Sequence, residues 1–165
     1  MTDYTLIKET DPILSTPAEP WDWDKDGEAA DLSHAMLKLM FENNGIGLAA
    51  PQIGVGKRIL VMGNPTLSFV CINPEIISAS GDEKAQEGCL SFPGLWLHVA
   101  RQETVTVRYQ DVIGRTHDRE FKGLQARVFQ HELDHLNGIN FTSRVGKLSL
   151  DMAAKRRKKL LKKKD

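Results

Sequence analysis

The chain of 165 residues has little of what marks a secreted or membrane protein. Its two cysteines are too few for a disulfide framework. It lacks any apolar run of about eighteen residues, so no segment is predicted to span a membrane. Residues 1–4 lack the basic and apolar stretches of a secretory signal. These features predict one globular, cytoplasmic protein, with an organelle or the cytosol of a virus-infected host as alternatives.

Charge is balanced overall but not along the chain. There are 22 basic and 22 acidic side chains, yet residues 155–164 hold eight basic groups and no acidic one. Residues 1–154 therefore carry 14 basic and 21 acidic groups, a net charge of −7. This asymmetry concerns binding partners and does not bear on the fold.

Hydrophobic periodicity indicates helices and short strands in no regular alternation. Residues 10–24 contain three prolines and are predicted to form a loop. The predicted helices cover about 26–43 and 124–136 and a last segment from near Ser149, and the predicted strands cover 58–62, 69–73 and 104–109. Asn137-Gly138 is a typical end for the second helix. Since no strand–helix–strand rhythm is present, the pattern favours an α+β fold.

The motif His131-Glu132-Leu133-Asp134-His135 lies in the second predicted helix. Residues four apart share one helix face, so both imidazoles can bind a single metal ion. Glu132 lies beside them, where it can act as general base on a water. The alternative is a surface helix that happens to carry two histidines. The apolar neighbours instead favour a buried helix, whose polar side chains need partners: Val128, Phe129, Leu133 and Leu136.

Two histidines leave a catalytic metal site one protein ligand short. Downstream, Phe141 occupies the position where a related peptidase motif has a third histidine, and only Asp151 and Asp165 are acidic. The third ligand is therefore expected upstream. Cys89, which follows a glycine, is the candidate, since a thiolate binds metals strongly. The alternative is a small buried apolar residue, which Cys71 fits better because it lies in an apolar run. From the residues alone, the role of Cys89 stays open.

Three segments together resemble the signature motifs of the peptide deformylase family. They are Gly-Ile-Gly-Leu-Ala-Ala-Pro-Gln at 45–52, Glu-Gly-Cys-Leu-Ser at 87–91 and Gln-His-Glu-Leu-Asp-His at 130–135. They occur in the family's order and at similar spacings, and the likeness extends from about residue 31 to residue 141. Three separate motifs are far more specific than the histidine motif alone.

The resemblance implies that Cys89, His131 and His135 bind one divalent metal ion, with a water in the fourth position and Glu132 as proton shuttle. It implies Fe²⁺ as the cellular metal, with Ni²⁺, Co²⁺ or Zn²⁺ as possible substitutes. The implied activity is that of a metallohydrolase: it removes the N-formyl group from the N-terminal formylmethionine of nascent polypeptides and releases formate. Formyl-methionine nascent peptides are thus the implied partners.

The resemblance also implies roles for residues around the metal. The side-chain amide of Gln52 and the backbone N–H of Leu90 are expected to donate to the oxyanion of the tetrahedral intermediate. The alternative for Gln52 is a loop residue that caps a turn. Glu87 is expected to orient a metal ligand or to pair with Arg101.

The expected substrate-binding residues come from three segments. Ile46 and Gly47 are expected to receive the peptide backbone as an added strand, with Gly88 on the opposite side. Leu124 and Val128 are candidates for the pocket that takes the methionine side chain, although both fit a plain core equally well.

Two departures from the family pattern concern this pocket. Bulky apolar residues surround Trp96, where many family members carry a basic residue, and Arg127 replaces a commonly apolar residue. Both departures concern the preference for substrate residues beyond the methionine.

The predicted fold consists of short antiparallel or mixed sheets wrapped around a buried helix that carries the histidine motif, plus a C-terminal helix. Residues 1–147 are predicted to form the catalytic domain, and residues 148–165 a basic helix or tail appended to it. A charge run is usually a solvated end. Because the implied substrate emerges from the ribosome, residues 155–164 are alternatively expected to bind ribosomal RNA through its phosphates. Membrane attachment is not expected, since Leu160 and Leu161 offer little apolar surface.

Two other functions are compatible with parts of the sequence. One is a metallopeptidase that cuts internal amides, which the missing downstream ligand disfavours. The other is a metal-stabilised RNA-binding module, which Glu132 disfavours because a structural metal site does not need a base.

Overall fold

The computed structural model describes residues 2–163, so Lys164, the end of the predicted basic segment, lies outside the described residues. The helices are α1 (Ala30–Glu42), α2 (Gly123–Leu136) and α3 (Lys147–Lys163). The strands are β1 (Gly47–Ala49), β2 (Ile59–Gly63), β3 (Ser68–Ser80), β4 (Glu83–Glu87), β5 (Leu97–Arg101), β6 (Thr104–Gln110) and β7 (Thr116–Lys122). Short 3₁₀ turns cover Pro12–Ser15, Ala50–Ile53 and Phe141–Arg144.

The strands form two antiparallel sheets. Five strands pair in the order β1-β2-β3-β6-β7, and β4 pairs with β5 in a separate two-stranded sheet. Strand β1 therefore lies at an edge of the larger sheet. In the part of the chain that the structure describes, helices and antiparallel sheets occur without parallel crossovers, which confirms the predicted α+β class.

Strand β2 shows how the larger sheet separates two cores. Successive side chains of a strand point to opposite faces. Ile59 and Val61 belong to the cluster that contains Met36 and Met40 of α1. The alternate residues, Leu60 and Met62, belong to the cluster that contains Val128 and Phe129 of α2. Because both faces are covered, β2 is apolar throughout and all four side chains are almost completely buried.

Helix α2 is buried along most of its length, although it carries many polar residues. Ten of its fourteen residues are buried, and they include Arg127, Glu132 and Asp134. The helix ends at Leu136, and Gly138 adopts a positive φ of 74°, which confirms the predicted cap. Burying charged groups is costly unless they are paired, so the helix requires partners on the neighbouring elements.

Helix α3 begins at Lys147, two residues before the predicted start. Ala153 is buried in a third cluster with Phe92 and Leu95, and Leu150 packs against the same cluster. The side chains from Lys158 to Lys163 are exposed. Within residues 2–163, no helix is long and apolar enough to cross a membrane.

Several predicted boundaries were wrong, and four strands were missed. Helix α1 begins at Ala30 instead of about residue 26, and β3 continues to Ser80 instead of ending near residue 73. The missed strands are β1, β4, β5 and β7. Strands β4 and β7 are mostly exposed and polar, so their sequences carry little apolar alternation. Their pairing partners decide their conformation.

Candidate metal centre and active site

The two histidines of the motif lie one turn apart on α2, and Cys89 meets them from the segment after β4. The Cys89 Sγ atom lies 3.3 Å from Nε2 of His135, and one donor atom from each of the three residues lies within 4.8 Å of the others. Metal bonds of about 2.0–2.3 Å at tetrahedral angles would place ligand atoms about 3.5 Å apart. The predicted set of three donors is therefore brought together at distances that fit a metal ion.

Glu87 holds the ring of His131 in one orientation. Its Oε1 atom lies 2.9 Å from Nδ1 of His131, and Arg101 donates to both carboxylate oxygens at 3.0 Å. Burial opposes ionisation, but the bonds from His131 and Arg101 outweigh it and lower the pKa of Glu87 to about 2. An ionised carboxylate only accepts, so Nδ1 of His131 donates to it, and the ring is turned with Nε2 towards the other two donors. Glu87 thus makes both of the contacts predicted as alternatives.

The charges behind Glu87 are neutralised by a network that spans four elements. Arg101 also donates to Asp134 at 2.6 Å, and Asp134 accepts from Arg144 at 2.7 Å. Arg127 donates to Glu87 at 2.6 Å and to the backbone oxygens of Val99 and Glu83. Each buried charge has an opposite partner, which offsets much of the desolvation cost. The network fixes α2 relative to β4 and β5, which lie on either side of Cys89.

The two histidines differ in protonation because their surroundings differ. Burial opposes a charge on His131, but hydrogen bonds to Cys89 and Glu87 raise its pKa to about 10. Burial and the nearby charges of His131 and Arg101 lower the pKa of His135 well below its usual value. His135 is therefore neutral, whereas a metal ion has to displace a proton from His131.

Glu132 lies beside the three donors and inside the protein. It is 4% exposed, and burial raises its pKa to about 7. Its Oε2 atom has no hydrogen-bond partner among residues 2–163. A β-carbon on Gly47 would lie 2.7 Å from Oε1 of Glu132 and 2.7 Å from Val128, so only glycine fits here. Gly47 thus lacks a side chain because the Glu132 carboxylate occupies that space. This reason differs from the predicted one, which was the approach of the substrate.

Gln52 is held with its amide group facing the sulfur of Cys89. Its Oε1 accepts from the backbone N–H of Ala49 at 2.8 Å, and its Nε2 donates to Ser91 Oγ at 2.9 Å. The same nitrogen lies 3.5 Å from Cys89 Sγ. Since the two ends of the amide have different partners, the orientation of the donor is determined.

A cavity of about 620 Å³ opens beside the three donor atoms. Every predicted substrate-binding residue lines it: Ile46, Gly47, Gly88, Leu124 and Val128. Cys89, Leu90, His131 and Glu132 also line the cavity, whereas Gln52 and His135 are not among its lining residues. Val128 is 8% exposed and lies deep, while Ile46, Trp96 and Leu124 are about half exposed or more and form an apolar rim.

Several residues of the site were not predicted as such. Leu6 lines the cavity from the N-terminal segment, and Ser91 orients Gln52. Asp134 pairs with Arg101 and Arg144, although its place inside the histidine motif suggested no partner. Ser91 and Asp134 had a local signal, because they belong to the recognised segments 87–91 and 130–135. The other contacts join residues far apart in the chain.

The two thiols are expected to differ sharply in reactivity. Cys71 is completely buried, and burial raises the pKa of its thiol, whereas Cys89 lines the cavity. After removal of metal by a chelator, iodoacetamide should modify Cys89 in the native protein and reach Cys71 only after unfolding. Mass spectrometry of the tryptic peptides measures both. Labelling of Cys71 in the native protein would contradict its burial.

The chain is similar to known proteins over most of its length. The sequence profile described as polypeptide deformylase matches residues 4–151. A peptide deformylase from Acidobacterium capsulatum is 42% identical over 160 residues, which cover 94% of each chain.

Solved structures are similar in fold as well as in sequence. A peptide deformylase from Synechococcus elongatus, in complex with actinonin, has a TM-score of 0.87 and 40% identity; the match covers 93% of this chain and 85% of that one. A class I type b peptide deformylase from Acinetobacter baumannii, with Met-Ala-Ser bound, has a TM-score of 0.81 and 35% identity over 87% of this chain and 99% of that one. The chain therefore belongs to the peptide deformylase family, metal-dependent hydrolases that remove the N-formyl group from nascent polypeptides.

Proposed function

We propose that Cys89, His131 and His135 hold one divalent metal ion at the inner end of the cavity, where the formyl group of the substrate is hydrolysed. The observation that carries this assignment is the convergence of one sulfur and two imidazoles beside a buried carboxylate. We propose Fe²⁺ as the cellular metal; a mixed sulfur and nitrogen donor set is also compatible with Ni²⁺, Co²⁺ and Zn²⁺. When bound, the metal supplies Lewis acidity, which lowers the pKa of a coordinated water and polarises the formyl oxygen.

Glu132 is the residue that moves the proton. Its carboxylate accepts a proton from the water as the water oxygen forms a bond to the formyl carbon. It then donates this proton to the amide nitrogen, the C–N bond breaks, and formate and a free amino terminus result. A pKa raised to about 7 by burial suits both steps, because the group can accept and release a proton near neutral pH.

Gln52 and Leu90 stabilise the oxyanion that forms on the former carbonyl oxygen. Nε2 of Gln52 is already oriented towards the site by Ala49 and Ser91. The backbone N–H of Leu90 follows directly after Cys89. Donors held in place before the reaction need no reorganisation, and one such donor is typically worth about 3 kcal/mol in the transition state.

The substrate backbone binds along the free edge of β1. Among residues 2–163 this strand pairs with β2 on one side only, so a peptide next to Ile46 and Gly47 can add to the sheet as a further strand. The methionine side chain then enters the cavity beside Gly88, Leu124 and Val128. The Met-Ala-Ser that the Acinetobacter baumannii relative binds supports a peptide of this kind.

Formate release from formyl-Met-Ala-Ser tests this proposal. Cleavage of the internal peptide bonds of the same substrate is measured as the control for peptidase activity. We expect formate from the metal-loaded enzyme, loss of activity after chelation, and recovery when Fe²⁺ is returned under anaerobic conditions. Full activity in verified metal-free protein would contradict the proposed role of the metal.

We propose that residues 158–163, the C-terminal part of α3, bind ribosomal RNA. We also propose the cytoplasm as the compartment, because the substrates are nascent chains. The side chains of residues 158–163 are exposed and include four lysines. Cations arranged along a helix bind phosphates with a steep dependence on salt and little dependence on sequence.

A truncation after Arg157 tests this docking. We expect turnover of formyl-Met-Ala-Ser to stay within about twofold, because residues 158–163 do not line the cavity. Sedimentation with ribosomes should lose its salt-sensitive part. A variant with Leu160 and Leu161 changed to alanine keeps the charges and should still bind. Equal ribosome affinity of the full and truncated chains would refute the proposal.

A further inference from the structure

One side chain of α3 joins two segments that lie far away in sequence. Nε of Arg157 donates to the backbone oxygen of Pro93 at 3.0 Å. Its Nη1 donates to Oε2 of Glu9 at 3.1 Å, and its Nη2 donates to the other oxygen of the same carboxylate. The guanidinium thus binds a carboxylate in bidentate fashion and a carbonyl at the same time, which is the geometry in which arginine is most specific.

The two segments that Arg157 joins both line the substrate cavity. Pro93 belongs to the loop 92–96, which contributes Trp96 to the exposed rim. Glu9 follows the stretch from which Leu6 lines the cavity, and the N–H of Ile7 donates to the backbone oxygen of Gln52 at 3.0 Å. Neither segment belongs to a sheet. Their positions therefore depend on contacts such as those of Arg157.

Arg157 also marks a division within α3. On the N-terminal side of Arg157, Leu150 and Ala153 pack against the body in a cluster with Phe92 and Leu95. Beyond it the side chains are exposed. The side chain of Arg157 is 20% exposed and that of Glu9 34%, so the pair is more shielded from water than an ordinary surface ion pair.

We propose that Arg157 is a positioning residue that holds the N-terminal segment and the loop 92–96 at the spacing needed to bind the peptide substrate. It touches neither the metal donors nor Glu132, so it acts on substrate binding and not on the chemical step. This inference rests on the proposed role of the cavity as the substrate site. The basic helix then supports the binding site from outside the cavity through Arg157, in addition to carrying a charged surface.

Arg157→Ala tests the proposal against Arg156→Ala, which removes the same charge from an exposed neighbour. We expect Arg157→Ala to raise KM for formyl-Met-Ala-Ser about five- to tenfold, with kcat within about twofold of the parent enzyme. The Kd of the product Met-Ala-Ser, measured by calorimetry, should rise in parallel. Arg156→Ala should leave all three values unchanged.

Glu9→Gln provides a milder variant that keeps the shape of the side chain. It should also raise KM. The KM of the Arg157→Ala/Glu9→Gln double variant should not exceed that of Arg157→Ala, because both substitutions act on the same contact. An unchanged KM in Arg157→Ala, or a fall in kcat and melting temperature without a change in KM, would overturn the inference. If the parent enzyme released no formate, the proposed function would fail instead, so the two failures are distinguishable.

Discussion

Replacing Glu132 with glutamine is expected to lower kcat for formyl-Met-Ala-Ser by about 10²- to 10⁴-fold, the range typical for a general acid–base residue. Glutamine preserves the shape of the side chain but cannot accept the proton of the attacking water or return it to the leaving nitrogen. The metal content should stay unchanged, since Glu132 is not one of the three converging donors. Steady-state kinetics together with metal analysis of the same sample measures both quantities.

Glu42→Gln is the matched control for this variant. Glu42 lies on the exposed side of α1, where Lys38 of the same helix is its one salt-bridge partner among residues 2–163, so its replacement should leave kcat unchanged. An E132Q enzyme with kcat within about threefold of the parent would exclude Glu132 as the main proton carrier, since acid–base residues typically contribute far more.

Replacing Cys89 with alanine is expected to remove most of the bound metal together with the activity. The sulfur is the one predicted donor that does not come from α2. Loss of an outer partner of a metal ligand alone typically weakens metal binding about 10- to 100-fold, so loss of a ligand should weaken it by more than about 100-fold. Competition with a chelator of known affinity measures the change.

Cys71→Ala is the control, because it removes the other thiol of the chain. Cys71 is buried in the core beneath α2, so its replacement should lower stability but retain metal and activity. A C89A protein with parent metal affinity would refute the proposed ligand set. Loss of metal from the C71A protein would contradict the assignment of metal binding to Cys89 and of a core role to Cys71.

The histidine motif was predictable because its geometry is local. A helix places residues four apart on one face wherever it lies, so His131 and His135 could be paired without knowledge of the fold. The assignment of Cys89 was different in kind. It depended on the resemblance of three segments to one family, because no periodicity relates residues on either side of several strands.

The partners of Glu87 are contacts that a local sequence pattern does not determine. The sequence suggested that it would orient a ligand or pair with Arg101, and in the structure it contacts both. Arg127 was noted as a departure from the family pattern, but its contact with the same carboxylate was not predicted. These contacts depend on the pairing of β4 with β5, and β4 has too little apolar alternation to be recognised.

The sequence by itself determined the helix with two histidines on one face, the α+β class, the basic end of the chain and, through three motifs, the family. Each of these follows from residues close together or from a charge run, where spacing and chemistry suffice. The tertiary structure decided which buried charges neutralise one another, why Gly47 must lack a side chain and how Arg157 joins both ends of the chain to the cavity. These features need contacts between distant segments, and such contacts exist only once the sheets have paired and α2 has been enclosed.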